Sequence, residues 1–260
     1  MLIDTHVHLD DLRYDADREA VFQRAQEAGV EAFITIGCDL STSTSAVKLA
    51  TERPNVYATV GVHPHEVKRI ESHWYDELRQ LAQNQKVVAF GEIGLDFHYD
   101  HSPRETQRQR FREQIALAKS LSLPLVIHTR EAQEETMTIL REEHAESIGG
   151  VLHCFSGDPW LAKEALDLGF YLSFSGIITF RNATVLRDII RTVPDDRLLI
   201  ETDAPYLTPV PFRGKRNESA YVTRVAEQIA ELKFADSATG LAQVAELTTD
   251  NAKRLFKISS

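Results

Sequence analysis

Eight short apolar runs recur along this chain, separated by polar segments in which apolar residues are spaced three and four apart. Short apolar runs are typical of buried β-strands, and three-and-four spacing is typical of amphipathic helices. Their alternation indicates a parallel sheet covered by helices. The predicted strands cover residues 1–5, 32–36, 56–62, 87–90, 125–127, 151–152, 171–174 and 198–201. The predicted helical segments cover residues 17–28, 43–52, 104–121, 131–144, 160–168 and 183–191.

Eight strand-and-helix units favour a sheet that closes on itself as a (β/α)8 barrel, the TIM-barrel class of α/β proteins. Such barrels routinely form one domain at this length, and no low-complexity linker divides the chain, so we expect a single domain over residues 1–260. The alternative is an open doubly wound sheet. The first strand, however, is not followed by the Gly-x-Gly-x-x-Gly turn of a dinucleotide-binding fold.

Charge and cysteine content narrow the class of protein. The chain has 29 basic and 39 acidic residues, which argues against a surface generally coated with nucleic acid but leaves a local basic patch open. Its two cysteines, Cys38 and Cys154, do not suggest a disulfide framework. The first residues lack the pattern of a secretion signal, and no run is long enough to span a membrane. We expect a soluble cytoplasmic protein without membrane partners, and the sequence is compatible with a monomer.

Two histidines, His6 and His8, lie at the end of the first apolar run. Because side chains alternate faces along a strand, the two imidazoles should point the same way, together with Asp4. Imidazole is a common ligand of divalent transition metals, and a catalytic site takes further ligands from elsewhere in the chain. The alternative is that the two histidines are simply polar residues at a strand end and bind no metal. Residues at the other strand ends distinguish this alternative from a metal site.

Residues of metal-ligand type also follow most of the other predicted strands. In a (β/α)8 barrel the carboxyl ends of the strands share one face, where active sites are found. A strand-end hydrogen bond or a buried ion pair would explain any one position. Together, however, these groups would be costly to bury without a cation, so a metal centre is favoured. They are His6, His8, His63, His65, Glu92, His128, His153, Glu201 and Asp203.

Six sequence blocks resemble those of the TatD family of metal-dependent deoxyribonucleases, which belongs to the amidohydrolase superfamily. The resemblance extends from the first residues to about Asn251. Many members of the superfamily have a carboxylated lysine after the fourth strand, whereas this chain has Glu92, which favours the TatD family. The blocks are Asp-Thr-His-Val-His-Leu from Asp4, Gly-Val-His-Pro from Gly61, Gly-Glu-Ile-Gly-Leu-Asp from Gly91, Val-Ile-His-Thr-Arg from Val126, His-Cys-Phe-Ser-Gly from His153 and Glu-Thr-Asp-Ala-Pro-Tyr-Leu from Glu201.

The resemblance implies two divalent metal ions, with magnesium, manganese and zinc all open as their identity. His6, His8 and Asp203 would bind one ion, His128 and His153 would bind the other, and Glu92 would bridge the two. Two such ions can share a water and lower its pKa toward neutrality. Glu92 and Asp203 are the predicted catalytic residues, with Asp203 also placed to accept a proton from that water.

Contacts to substrate are predicted at His63, Arg130 and Arg213. His63 would donate to a phosphate oxygen or else orient a ligand, and Arg130 would bind phosphate or else pair with Glu131. Arg213 belongs to the basic segment 211–217, which would bind an anion or remain a solvated charged loop. We expect Glu201 and His65 to orient the ligands from behind, and Glu201 could also be a ligand.

The resemblance implies hydrolysis of DNA phosphodiester bonds, with removal of nucleotides from the 3′ end. The net negative charge favours small or single-stranded DNA ends, or another phosphate-containing substrate, over extended duplex. The main alternative is an ester or amide hydrolase that uses the same site, such as a D-aminoacyl-tRNA deacylase. A metal-stabilised scaffold without activity is a further alternative, but a barrel of this size needs no metal to build its core.

Overall fold

The structure of the protein, a computed structural model, describes residues 1–234 and 237–258. In this part of the chain, eight strands form one sheet whose spatial order is their order along the sequence. Each strand is followed by at least one helix, and the class is the predicted (β/α)8 TIM barrel. The strands are β1 (Leu2–Val7), β2 (Val30–Thr35), β3 (Val56–Val60), β4 (Val87–Asp96), β5 (Leu125–Arg130), β6 (Gly150–Leu152), β7 (Tyr171–Phe174) and β8 (Leu198–Ile200).

The helices include three that the sequence pattern did not predict, α3, α8 and α9. Helix α3 is only eight residues long and buries a single side chain, that of Leu78. None of the helices in the described residues has the length and apolar character needed to cross a membrane. The helices are α1 (Arg18–Glu27), α2 (Leu40–Glu52), α3 (Trp74–Leu81), α4 (Arg104–Leu121), α5 (Gln133–Glu142), α6 (Pro159–Asp167), α7 (Thr184–Thr192), α8 (Val222–Lys233) and α9 (Ser237–Phe256).

Strand β4 is longer than the predicted run over residues 87–90, because it continues through two glycines to Asp96. Gly91 and Gly94 have positive φ angles of 150° and 141°. A Cβ atom at Gly91 would lie 2.5 Å from the carbonyl oxygen of Val126, and one at Gly94 would clash with that of His128. Glycine therefore allows β4 to lie close against β5 and places Glu92 inside a strand, not after it.

The chain packs as two compact units. The first contains Met1–Thr35, Cys154–Ala162 and Leu172–Ser260, and therefore β1, β2 and β8. In its core, Phe22 packs edge-to-face on Phe33 with 5.3 Å between ring centroids, and Phe155 packs on Phe174. An isolated parallel bridge joins Val7 to Ala204, so that β1 pairs with the segment that follows β8.

The second unit contains Ile36–His153 and Lys163–Tyr171, with strands β3 to β6 and helices α2 to α5. Its strands pair in parallel, β3 with β4, β4 with β5, and β5 with β6. Phe90, Phe111 and Ile115 are fully buried in this unit. A single domain over residues 1–260 stays a prediction, and four of those residues lie outside the described part.

Candidate functional site

The first unit brings together His6, His8 and Asp203, which we call the first cluster. Oδ1 of Asp203 lies 3.8 Å from Nε2 of His6 and 3.3 Å from Nε2 of His8. The imidazole rings are 5.2 Å apart between centroids and nearly perpendicular. His6 is fully buried, and the other two side chains are each about 15% exposed. The alternation along β1 thus places both imidazoles beside one carboxylate, as the sequence predicts.

Asp203 reaches this position through an unusual backbone conformation. Its φ is 53°, in the left-handed region, which Asp tolerates better than most residues. Its N–H donates to the carbonyl oxygen of His6 at 2.9 Å. The preceding residue, Thr202, donates from N–H and from Oγ1 to the carboxylate of Asp4, at 2.9 and 2.6 Å. Asp4 therefore anchors this segment to β1 instead of lying in the cluster, and burial raises its pKa to about 7.

Glu201 was predicted to orient an imidazole or to be an additional ligand. In the first unit its buried carboxylate accepts the backbone N–H of Cys154 at 2.8 Å. Cys154 follows the predicted ligand His153 in the sequence and has a positive φ of 42°. Glu201 therefore stabilises a strained backbone position directly after a predicted ligand, and its orienting role stays a prediction.

The second unit brings together Glu92, His63, His128 and His153, which we call the second cluster. Oε1 of Glu92 lies 2.8 Å from Nε2 of His153, 3.0 Å from Nδ1 of His128 and 3.3 Å from Nε2 of His63. Nε2 of His153 and Nδ1 of His128 are 3.4 Å apart. Three imidazoles from β5 and from the loops after β3 and β6 therefore converge on one carboxylate oxygen of β4.

Asp96, which was not predicted to have a role in the site, lies behind His128. Its Oδ2 accepts Nε2–H of His128 at 3.0 Å and Nε2–H of His65 at 2.9 Å. Asp96 is fully buried at the end of β4, where Gln107 bonds both its N–H and its carbonyl oxygen. The protonated ring of His128 donates from Nε2 to Asp96 and from Nδ1 to Glu92. When the ring is neutral with Nε2 protonated toward Asp96, Nδ1 has a lone pair on the side of Glu92. His65 thus shares a carboxylate oxygen with the predicted ligand His128, and its orienting role stays a prediction.

His63 differs from His128 in the ring nitrogen that faces Glu92, which is Nε2 in His63 and Nδ1 in His128. Its Nδ1 accepts the backbone N–H of His65 at 3.1 Å. Since a neutral imidazole carries one proton, Nε2 of His63 must be the protonated nitrogen and faces Glu92 as a donor. Burial lowers the pKa of His63 to about 4, so the ring is neutral near pH 7. His63 therefore lies among the ligands but presents a hydrogen-bond donor, not a lone pair.

The pKa values of Glu92 and His128 in the second cluster are shifted in opposite directions. Burial alone would raise the pKa of Glu92, but His153, His63 and His128 outweigh burial and hold the pKa well below its usual range. Burial alone would lower the pKa of His128, but Asp96 and Glu92 outweigh burial and raise the pKa above 6.5. The cluster therefore pairs an ionised carboxylate with an imidazole that readily takes positive charge.

Both clusters fit a divalent transition metal. Ligand atoms about 2.1 Å from one tetrahedral ion lie about 3.4 Å apart. In the second cluster, Oε1 of Glu92 lies 2.8 Å from Nε2 of His153 and 3.0 Å from Nδ1 of His128, and these two nitrogens are 3.4 Å apart. Those in the first cluster that involve Asp203 are 3.3 and 3.8 Å. Nitrogen and carboxylate donors suit zinc and manganese, and carboxylates suit magnesium.

The predicted substrate arginines lie in different surroundings. Arg130, at the end of β5, lies over the ring of Tyr99, 4.7 Å from its centroid, and does not pair with Glu131, which bonds His98. Arg213 lies over Phe180 at 4.0 Å and donates to the carbonyl oxygen of Thr208. Both are exposed, and their substrate contacts stay predictions.

Within the basic segment 211–217, Arg216 is the residue that is already neutralised. Its two terminal nitrogens each lie 2.7 Å from an oxygen of Asp17. The segment therefore contributes one bidentate ion pair within the first unit. Its other two basic side chains, Arg213 and Lys215, lie over aromatic rings.

Comparison with known proteins identifies the family of this chain. The family model described as TatD related DNase matches residues 3–257. The chain is 48% identical over 259 residues to the uncharacterized metal-dependent hydrolase YabD of Bacillus subtilis (strain 168), with 100% of each chain covered. It is 37% identical over 264 residues to the 3′-5′ ssDNA/RNA exonuclease TatD of Rahnella sp. (strain Y9602), covering 98% of this chain and 97% of that protein.

Among solved structures, that of YJJV, a TatD homolog from Escherichia coli K12, matches with a TM-score of 0.92 and 32% sequence identity. The match covers 99% of this chain and 98% of that chain, so the fold is shared from end to end. Family model, relatives and structure agree over nearly the whole length. The chain therefore belongs to the TatD-related DNase family and is a metal-dependent hydrolase of the TatD type.

Proposed function

We propose that this protein hydrolyses phosphodiester bonds in DNA and removes nucleotides from the 3′ end of a single strand. The observation that carries the proposal is the convergence of imidazoles on one buried carboxylate oxygen of Glu92, with a second histidine pair beside Asp203. The exonuclease name of the Rahnella relative, at 37% identity, supports nucleic acid as the substrate.

In this proposal His6, His8 and Asp203 bind one divalent ion, and Glu92, His128 and His153 bind another. Magnesium, manganese and zinc are the candidates, and the bridging of both ions by Glu92 stays a prediction from the resemblance. A divalent ion supplies charge that offsets the developing negative charge on phosphate and lowers the pKa of a water. Dependence on metal follows from this ligand chemistry.

Side chains of the protein transfer the proton, bind the phosphate and orient a ligand. A carboxylate oxygen of Asp203 accepts the proton of the attacking water, and Nε2–H of His63 donates to a nonbridging oxygen of phosphate. Asp96 keeps His128 in the tautomer that leaves Nδ1 unprotonated. A cytoplasmic location is the setting predicted from the sequence.

The proposal is tested with metal-stripped protein reloaded with magnesium, manganese or zinc. The substrate is a 5′-labelled single-stranded oligonucleotide whose 3′-terminal linkages are either normal or phosphorothioate. A D-aminoacyl-tRNA is assayed in parallel. We expect a ladder that shortens from the 3′ end on the normal strand and arrest at the phosphorothioate. Cleavage that ignores the blocked end would exclude the exonuclease mode, and deacylation without DNA cleavage would move the substrate to the aminoacyl ester.

Matched variants separate the site from the scaffold. Asp203→Asn removes a carboxylate just after β8, whereas Asp195→Asn removes an exposed one just before the same strand, where it pairs with Lys233. We expect Asp203→Asn to lower kcat by at least about a thousandfold, in line with the loss of a catalytic carboxylate, and Asp195→Asn to retain wild-type turnover. Equal activity of wild type and Asp203→Asn would exclude the proposed site.

A further inference from the structure

We infer that His65, Tyr99, His101 and Arg130 form a stacking subsite for one unpaired nucleobase and its phosphate, which we call the Tyr99 subsite. The inference rests on the proposed function in that its ligand is nucleic acid, but it does not depend on which bond is cleaved. It commits to a single-stranded ligand, because a base paired in a duplex cannot present its face to a protein ring.

Tyr99 is 50% exposed, although it is one of the larger apolar side chains of the second unit. Its ring stacks on His101 with 5.5 Å between centroids and 7° between planes. His98 meets it edge-on at 4.7 Å, and His65 does so at 5.4 Å. An exposed ring set among other rings offers a flat π-surface, which is the element that nonspecific single-strand binding proteins use for base stacking.

Arg130 gives this surface its affinity for phosphate. Its guanidinium lies over Tyr99, 4.7 Å from the ring centroid. The nearby carboxylate of Glu131 is taken by Nδ1 of His98 at 2.7 Å, and among the described residues Arg130 has no ion-pair partner. A guanidinium that lies over a ring uses its flat face, so its in-plane N–H groups stay available to an anion.

The loop that carries Tyr99 is fixed before any ligand binds. The N–H of Tyr99 donates to Oδ1 of Asp96 at 2.9 Å. Nζ of Lys68 donates to the carbonyl oxygen of His101 at 2.6 Å, and Oγ of Ser102 donates to that of His65 at 2.8 Å. A preorganised aromatic surface loses little conformational entropy on binding, so little of the favourable stacking free energy is cancelled by an entropic cost.

The Tyr99 subsite is continuous with the second cluster. The ring of His65 contacts His101 at 4.6 Å and also contacts His63 at 4.3 Å between centroids. His65 and His128 share one oxygen of Asp96. A nucleotide stacked on Tyr99 is therefore one imidazole away from the residues proposed to hold the reacting phosphate, which places the subsite beside the scissile bond.

The experiment measures binding of a fluorescein-labelled oligonucleotide with nuclease-resistant phosphorothioate linkages to the full-length, metal-loaded protein by anisotropy. A second oligonucleotide of the same length contains abasic sites at its 3′ end. We expect Tyr99→Ala to weaken binding of the normal oligonucleotide about tenfold, as for the loss of one stacked base. Tyr99→Trp should restore it, and the abasic oligonucleotide should bind wild type and Tyr99→Ala equally.

Tyr57→Ala is the matched control. Lys86 lies over the ring of Tyr57 at 4.6 Å, so this variant removes a cation–π pair of the same kind near the start of β3. We expect it to bind both oligonucleotides as wild type does. Two results would overturn the subsite. In one, Tyr99→Ala binds the normal oligonucleotide as tightly as wild type does; in the other, Tyr99→Ala loses the same affinity for both oligonucleotides. Thermal melting of each variant verifies that the substitutions leave the fold intact.

Kinetics separate this inference from the proposed function. Bis(p-nitrophenyl) phosphate is a phosphodiester without a base, so the ratio of kcat/KM for single-stranded DNA to kcat/KM for this ester should fall about tenfold in Tyr99→Ala. An unchanged ratio contradicts the subsite. If the wild type hydrolyses neither substrate, the proposed function fails, and the binding comparison still decides whether the subsite exists.

Discussion

Nε2 of His128 and Oδ2 of Asp96 lie 3.0 Å apart, and this hydrogen bond determines which nitrogen of His128 faces Glu92. The same oxygen of Asp96 accepts Nε2–H of His65 at 2.9 Å. One buried carboxylate thus accepts hydrogen bonds from an imidazole of the proposed metal site and from an imidazole of the adjoining aromatic surface. Removing a carboxylate that is hydrogen-bonded to a metal-binding imidazole commonly lowers metal affinity or activity by about 10- to 100-fold.

Asp96→Asn is therefore expected to weaken the binding of one metal ion by about 10- to 100-fold, because the amide no longer holds His128 in its tautomer by charge. Isothermal titration of the metal-stripped protein measures this effect without reference to turnover. Asp100→Asn is the control, since Asp100 lies in the same loop but pairs with Arg104 on the surface. Equal metal affinity of Asp96→Asn and Asp100→Asn would contradict the orienting role.

His63→Ala is expected to lower kcat/KM by about a hundredfold and to leave the metal content unchanged, because Nε2 of His63 is a donor and not a ligand. His63→Gln should recover part of the loss, since its amide also offers an N–H. Metal analysis beside steady-state kinetics measures both quantities, with the exposed His73→Ala as control. Loss of a metal equivalent in His63→Ala would instead identify this residue as a ligand.

Metal affinity at the second cluster is expected to rise with pH. Hydrogen bonds from His128 to Asp96 and Glu92 raise the pKa of this imidazole above 6.5, so a proton must leave before the metal binds. The increase should end once pH exceeds the raised pKa. Calorimetry in two buffers of different ionisation enthalpy measures the proton released, and His128→Ala should abolish that release at the second cluster. Affinity that does not vary with pH would contradict this assignment.

The Asp17–Arg216 pair is expected to stabilise the fold fully above about pH 4 and to lose this contribution as pH falls through about 2. Hydrogen bonds from Arg216 and Arg24 outweigh partial burial and lower the pKa of Asp17 from 3.8 to about 2. For a carboxyl group with a lowered pKa, the stabilisation is complete above the unfolded pKa and is lost as pH falls through the folded one.

Asp17→Asn should therefore lower Tm by a few degrees, about 2 to 4 °C, at pH 6 and by much less at pH 2, where the folded carboxyl is already about half protonated. Differential scanning calorimetry at both pH values measures the shift. Asp188→Asn, which removes an exposed helical pair with Arg191, is the control and should change Tm little at either pH. A loss of the same size at pH 2 would show that Asp17 acts through something other than its charge.

The sequence by itself determined the fold class and the types of ligand. Strand periodicity placed His6 and His8 on one face, and the rule that barrel active sites lie at strand ends selected Glu92, His128, His153 and Asp203. The fold class is confirmed, and the site residues stay predictions; both depend on local periodicity and on one topological rule, which can be read along the chain.

Only the tertiary structure decided how these groups contact one another. Gly91 and Gly94 lie beyond the strand predicted over residues 87–90, but they extend β4, whose backbone lies close against β5. Asp96 acquires its role from two imidazoles that are 31 and 32 residues away in the chain. Side-chain hydrogen bonds at such separations depend on register and rotamer, which no local pattern encodes.

The same reason explains why the partners of the arginines could be seen only in the tertiary structure. Arg130 could pair with Glu131 in the sequence, but His98 takes that carboxylate and Tyr99 lies under the guanidinium. Arg216 looked equivalent to Arg213 in one basic segment, yet it is bound to Asp17, which is 199 residues away. Charge is visible in the sequence, whereas its neutralisation depends on which distant side chain the fold brings within hydrogen-bonding distance.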